Sequence, residues 1–438
     1  MIKRQSKNIL IVAAMMGTMA ASTAQAANWL MLQGTERDAA APRAKVWGFI
    51  QPEYTSTSGT PLQAGPWKGQ DAVFNQMRPN LKTNKGFNIL RARLGVRGTG
   101  LPLDSNVNYF LLAELGNNGI TGGDNGSTKL TDASITLNHI DGARFRVGQF
   151  KTPGSEEGLQ AIHVFDYINF TGATNGLLLE RFFDGDGSDL KDANRQNGSV
   201  GAFRDIGIQM FDTFKVSDWE HSYAVMVGNG NGINRTDNND SMETYLYWSS
   251  EQVYAGAGPR REGWKLFAWN QDGKRTLTKN GAGEYDRTRS GLGTTFKKGK
   301  QRAAFEYITA DGMIFNGTDG GAVPGSRNNP DSATASFNME TKGEADGYYV
   351  HYGYALTNEL ELDLRYDVYN RMTDVAAKER KFDTLTVGAQ YFFNKKSRLI
   401  VNYEARNAEA PNLASTHPAN QILDGMDDRL SAQLLIIF

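Results

Sequence analysis

The sequence predicts an all-β fold, a transmembrane antiparallel β-barrel of about sixteen strands. Its two ends and the rhythm between them predict it. At the C-terminus, Leu430, Ala432, Leu434, Ile436 and Phe438 share one face of a period-two pattern, while Arg429, Ser431 and Gln433 begin the other. A strand of ~10 residues with one apolar and one polar face, ending in an aromatic, fits one pass through an outer membrane. At the N-terminus, Lys3, Arg4 and Lys7 precede an apolar run from Ile9 to Ala21 and the small residues Ala24 and Ala26. That is a secretory leader, too short to span a bilayer and followed by a small-x-small cleavage site. No later stretch approaches the ~18 apolar residues a membrane helix requires, so a membrane-spanning chain of this kind must close its backbone hydrogen bonds as a barrel.

Between the ends, alternating segments recur at 45–54, 87–98, 106–115, 131–139 and 144–150. After a gap of about fifty residues they resume at 203–212, 219–228, 242–249, 263–271, 285–296 and 301–310. The series closes with 348–356, 359–370, 382–393, 398–405 and the terminal strand. In the segment 359–370, Leu360, Leu362, Leu364, Tyr366 and Val368 alternate with Glu359, Glu361, Asp363, Arg365 and Asp367. A helix would scatter these residues around its axis. Charges at every second position make that face wet, and in a barrel of this size the wet face lines a channel. Short turns such as 356–358 and 394–397 contrast with long polar loops at 229–240, 311–344 and 407–425, the asymmetry of periplasmic and external connections.

Composition agrees. A mean hydropathy of −0.49 suits a barrel, where only alternate residues face lipid. The absence of cysteine excludes disulfides, thiolate metal sites and cysteine nucleophiles. The 47 basic and 48 acidic residues nearly cancel, which gives no support to nucleic-acid binding and leaves charge selectivity to local geometry. The expected organisation is a signal peptide at 1–26, a short periplasmic segment at 27–43 and the barrel at 44–438. The outer membrane is the expected location, with its lipid as a partner. No cofactor is expected.

Three segments, Arg144-Phe145-Arg146-Val147-Gly148-Gln149-Phe150-Lys151-Thr152-Pro153, Leu90-Arg91-Ala92-Arg93-Leu94-Gly95-Val96 and Arg429-Leu430-Ser431-Ala432-Gln433-Leu434, carry a family resemblance. With Gly48-Phe49-Ile50-Gln51-Pro52-Glu53-Tyr54 and the stretch 228–239, they make the chain similar to the phosphate-selective porin O/P family over about residues 44–438. The resemblance implies a sixteen-stranded homotrimeric porin with a constriction loop folded into the lumen. The long connection at 152–198 is the loop so implied, and a connection of that length inside a regular meander is expected to carry structure of its own. The run 160–170 alternates too little for a strand and reads as a short helix or ordered turn against the wall.

Arginines supply the chemical content. Arg91, Arg93 and Arg97 share one face of a strand, opposite Leu90, Ala92, Leu94 and Val96. Arg144 and Arg146 share a second inward face, and Arg287 and Arg289 a third. Guanidinium groups ~7 Å apart along a strand offer successive bidentate sites to an oxyanion that has shed water. The row resembles the arginine ladder of the family's phosphate-selective members. The competing reading pairs these arginines with wall acids such as Glu114 or Asp132. Lys151 stands where the loop begins, and Glu156, Glu157 and Asp166 form an acidic opposing wall. The family's phosphate-specific members carry lysine in this loop. Here Arg181 and His163 are the only basic side chains between Thr152 and Lys191, and Leu90 replaces a paired arginine.

Two readings of function therefore stand side by side: a porin favouring small anions such as phosphate, and a weakly selective porin with a mixed-charge constriction. A barrel enzyme and a barrel plugged by its own loops are the other classes. The five histidines have no metal-ligand spacing. The run 184–189 resembles part of a calcium loop but lacks its sixth-position glycine and acidic twelfth ligand. Ser188 and Lys191 match S-x-x-K without companion motifs. Trp47, Trp219, Trp248, Trp264, Trp269, Tyr348, Tyr391 and Phe438 are expected in membrane girdles. Phe110, Phe211 and Phe267 are candidate inward rings.

Overall fold

A computed structural model describes residues 29–32, 43–65, 68–71, 85–100, 104–118, 120–121, 128–179, 201–256, 258, 260–277, 283–317 and 337–438. The leader at 1–26, the second part of the loop from 180 to 198 and the calcium-like run lie outside these residues. No helix among them is long and apolar enough to cross a membrane.

The strands are β1 (Lys45–Gly59), β2 (Lys85–Thr99), β3 (Val107–Glu114), β4 (Lys129–Leu137), β5 (Arg144–Lys151) and β6 (Arg204–Val216). Then come β7 (Trp219–Gly228), β8 (Glu243–Ala255), β9 (Glu262–Leu277), β10 (Gly283–Lys298) and β11 (Gln301–Asp311). A small ribbon, β12 (Ile314–Gly317) with β13 (Phe337–Glu340), precedes β14 (Glu344–Ala355), β15 (Leu360–Arg371), β16 (Arg380–Asn394), β17 (Ser397–Glu409) and β18 (Met426–Ile437). Apart from the ribbon, sixteen strands close in an antiparallel ring, each paired with its neighbours in sequence and β18 with β1. Every predicted segment is one of these strands, and most extend a few residues further than the alternation shows.

Closure depends on the terminal strand. Phe49 pairs with Ile437 and Tyr54 with Ala432, which removes both free edges. Phe438 exchanges backbone hydrogen bonds with Gly48, N to O at 3.0 Å and O from N at 3.1 Å. Its ring occupies the space of the missing side chain: a Cβ on Gly48 would stand 2.6 Å from Phe438 Cζ. The outward face is as the period-two reading requires, with Leu430, Ile436 and Phe438 exposed and Arg429, Ser431, Gln433 and Leu435 buried.

Two expectations about facing are corrected. Leu90 is not on the outward face of β2. The β1–β2 register shifts at Gln51/Pro52, where Gln51 pairs with Arg91 but Pro52 with Ile89. The bulge leaves Phe87 and Ile89 exposed before it, Leu94 exposed after it, and Leu90 buried. Nor are Trp47 and Trp269 girdle residues. Trp47 stacks on the inward ring of Phe110 at 5.9 Å, and Trp269 is buried with its indole donating to Glu306 Oε1 at 2.9 Å. Trp248, Trp264, Tyr391 and Phe438 do stand exposed on the outside.

The interior is filled from both ends. Residues 152–179 and a short helix, α1 (Trp29–Leu32), lie inside with an apolar cluster that includes Leu159, Leu177, Phe211, Phe267, Trp269 and Tyr369. The expectation of a periplasmic segment at 27–43 does not hold for Trp29–Leu32. Trp-Leu-Met-Leu is a wholly apolar run, and it buries itself against the inner wall.

Candidate functional site

The loop leaves β5 and crosses the barrel in three attached pieces. The first is the helix α2 (Glu156–Leu159), started by Ser155, whose hydroxyl accepts from Gly158 N at 2.9 Å. Its N-terminal amide, Glu156 N–H, donates to the Glu306 carboxylate of β11 at 3.2 Å. Glu306 also accepts from Trp269 Nε1 and, at 3.0 Å, from Tyr349 Oη, so this buried carboxylate is satisfied by neutral donors. Lys151 Nζ donates to Gly158 O at 2.8 Å, holding the other end of the helix. A cation at those carbonyls also matches the helix dipole.

The second piece is a turn around Asp166, whose carboxylate meets Arg260 Nη2 at 2.6 Å and Arg302 Nε at 3.2 Å. Burial pushes the Asp166 carboxyl up, but Arg302 and Arg260 outweigh burial and hold it well below the usual carboxylate range. The third piece runs to the π-helical turn Thr174–Leu178. Ile168 N–H donates to Asn402 Oδ1 at 2.8 Å, Gly172 N–H to Asp367 Oδ2 at 2.8 Å, and Arg289 Nε to Leu177 O at 3.1 Å. The described part of the loop is thus tied to β10, β11, β15 and β17, across the barrel from its origin at β5.

The predicted arginines do face inward, and they are held. Arg93 pairs with Glu114 at 2.7 Å and Arg144 with Asp212 at 3.3 Å. Arg91 donates to Gln51 Oε1 at 3.2 Å. Arg97 donates to Leu32 O at 3.3 Å and lies 5.4 Å from the Phe110 ring. Arg146 lies over Phe211 at 4.3 Å and donates to Leu30 O at 3.4 Å. Arg287 pairs with Glu243 at 2.9 Å, and Arg289 also reaches Met313 O at 2.8 Å. Asp132, offered as a partner for the row, pairs instead with Arg204 at 3.0 Å. The loop acids are occupied too: Glu156 by Lys265 at 2.5 Å and Trp29, Glu157 by Arg365 at 3.2 Å.

On the β1 to β6 side, Arg93, Arg97 and Arg146 pack on the rings of Phe49, Phe110 and Phe211. His163 of the loop sits against Phe49 at 5.2 Å and Trp47 at 5.6 Å. Burial, reinforced by the charges of Arg398 and Lys151, pushes its imidazole down to about 3. Opposite, between α2, the Asp166 turn and β8 to β11, lies a cavity of about 120 Å³. Arg260, Arg261, Lys265, Lys297 and Arg302 line it, facing Glu156, Asp166 and Glu251. The predicted site contains only Glu156 and Asp166 of this set.

The basic residues of the cavity escaped the sequence reading for a physical reason. Lys265 shares its inward face with Phe267 and Trp269, so β9 looks apolar on both sides. Arg260 and Arg261 precede β9. Arg302, two positions from Ala304 and four from Glu306 on the inward face of β11, carried a legible signal.

Residues 68–176 match the family model of phosphate-selective porins O and P. Over that quarter of the chain the sequence is similar to that family. Solved structures agree on the fold. An anion-selective porin from Comamonas acidovorans is 14% identical, with a TM-score of 0.52 over 90% of this chain and 99% of that one. OmpF of Salmonella typhi, solved with daunomycin, is also 14% identical, with a TM-score of 0.52 over 90% and 97%. The outer-membrane channel DcaP of Acinetobacter baumannii is 16% identical, with a TM-score of 0.50 over 93% and 100%. At these identities the likeness is one of architecture. No curated protein matches the sequence. The partial family match and the closed barrel are the two findings on which a channel reading can rest.

Proposed function

We propose that this porin passes small hydrophilic solutes by diffusion, favours anions, and catalyses no reaction. The cavity beside the loop carries the reading. Of its charged lining residues, five are basic and three acidic, and such a local surplus biases the ions that enter. The loop pieces at 152–179 narrow the lumen to this space and act as the constriction. The predicted rows at Arg91, Arg93, Arg97, Arg144, Arg146, Arg287 and Arg289, with Lys151, set the surrounding potential and the loop's position rather than touching the permeating ion. The mixed charge of the lining favours modest discrimination over tight capture of phosphate.

The chain is exported by its leader, sits in the outer membrane with Trp248, Trp264 and Tyr391 toward lipid, and assembles as the trimer the family resemblance implies. Reversal potentials in a KCl gradient across planar bilayers test the proposal. Chloride should be preferred at low salt, with the preference shrinking as salt screens the lining. Preference for potassium at low salt would overturn the anion reading.

A further inference from the structure

We propose that Trp29–Leu32 is a pore element, a segment of the chain's own N-terminal region that forms one side of the passage and fixes the charge of its acidic wall. The inference rests on the channel reading above. Trp29, Leu30 and Met31 are 9%, 2% and 7% exposed inside the barrel. Three polar attachments fix the segment independently of that apolar packing. Trp29 Nε1 donates to Glu156 Oε1 at 2.8 Å, Leu30 O accepts from Arg146, and Leu32 O accepts from Arg97. Arg97 pairs with Lys45 across the β1–β2 ladder, so the segment enters at the end of the barrel where β1 begins.

Trp29 lines the cavity together with Glu156. The Glu156 carboxylate is thereby engaged on both oxygens, by the Trp29 indole on Oε1 and by the Lys265 ammonium on Oε2. A carboxylate so occupied presents less free charge to a passing ion. Removing the indole frees Oε1 toward the cavity, and removing the whole segment also opens the space its side chains fill. Size and selectivity are therefore coupled to a segment outside the barrel wall.

All sixteen barrel strands begin at Lys45 or later, so deleting Trp29–Leu32 from the full chain leaves every ladder intact. In planar bilayers the deletion is expected to raise single-channel conductance about twofold or more and to lower chloride preference. Trp29→Phe keeps a ring and drops the donor; it should lower chloride preference with little change in conductance. Unchanged conductance in the deletion together with unchanged selectivity in Trp29→Phe overturns the proposal.

Labelling tests it separately from conduction. In this cysteine-free chain, Leu30→Cys should react slowly with a bulky maleimide in the folded barrel and quickly after denaturation. Fast labelling of the folded barrel would also overturn it. A full chain and a deletion that both fail to conduct, with Leu30→Cys still protected, would sink the channel reading and leave the placement of the segment intact.

Discussion

The two sides of the lumen are built from the same residue types and behave differently. On the β1 to β6 side, Arg93, Arg97 and Arg146 lie over Phe49, Phe110 and Phe211, and Trp47 and His163 complete a dry layer. On the β8 to β11 side, Arg260, Arg302 and Lys297 border open space and face acids that belong to the loop. The comparison teaches that a row of inward arginines is not by itself a path for anions. A guanidinium packed on rings and paired within the wall holds the barrel together. One that borders a cavity can also act on what moves through it. Changes to the dry side should appear in stability, and changes to the wet side in selectivity.

Arg302→Ala should have the largest effect, because Arg302 joins the two properties. It binds Asp166 together with Glu361 and Asp363, and its loss leaves Arg260 as the closest cation to Asp166 and Glu361 and takes the guanidinium from Asp363. Breaking such a buried arrangement costs about 3–5 kcal/mol, and it also loosens the Asp166 turn, which keeps Arg260 and Arg398 as its other holds. The variant is expected to unfold at markedly lower denaturant and to lose chloride preference. Full retention of both properties would show that the loop is anchored elsewhere. Lys297→Glu comes next. It changes the charged lining from five basic and three acidic residues to equal numbers, so the reversal potential should fall to near zero at low salt. Folding should be little altered, since Lys297 makes no ion pair among the described residues.

His163→Gln tests the dry side. An imidazole whose folded pKa is depressed to about 3 resists protonation until well below its unfolded value. The sign is destabilising as pH falls: the unfolded state takes up a proton near pH 6.5 and the folded state does not. Between pH 7 and pH 5 the wild type should lose about 2 kcal/mol that the glutamine variant keeps, read from denaturant midpoints at the two pH values. Ion selectivity should be the same in both proteins. A selectivity change in His163→Gln would place the imidazole on the path of the ions.

How much of this was legible in the sequence follows from what each feature depends on. The strands, their number and the closure by Phe438 depend on local alternation, which one chain displays directly. The Leu90 bulge was half visible: the exposed apolar positions are odd at Phe87 and Ile89 and even at Leu94. A change of parity within one strand is the trace of an extra residue. The inward direction of Arg91, Arg93, Arg144 and Arg146 was legible for the same reason. Glu114, on the neighbouring strand, was named as a partner and pairs with Arg93, whereas the pairing of Glu243 with Arg287 or of Asp166 with Arg260 was not legible, because it joins strands and loop far apart in the chain. Trp29–Leu32 was read as a short segment outside the barrel, since four apolar residues carry no periodicity and only the interior explains them.

Arg91→Gln is expected to have the smallest effect, and it is the sharpest test of the comparison. Arg91 is one of the residues the sequence recommends for anion attraction: inward, first in its row, and two positions from Arg93. In the structure it is 5% exposed and its hydrogen bond runs to neutral Gln51. Glutamine preserves a donor for that bond and removes a buried charge that pairs with no carboxylate among the described residues. Stability should therefore shift by no more than about 1 kcal/mol, and in either direction, since relief from burying a charge opposes the loss of packing. The reversal potential should move much less than in Lys297→Gln, although both substitutions remove one positive charge from the lumen. Equal shifts would mean that ions sense the whole arginine row, and the division into a dry and a wet side would fail.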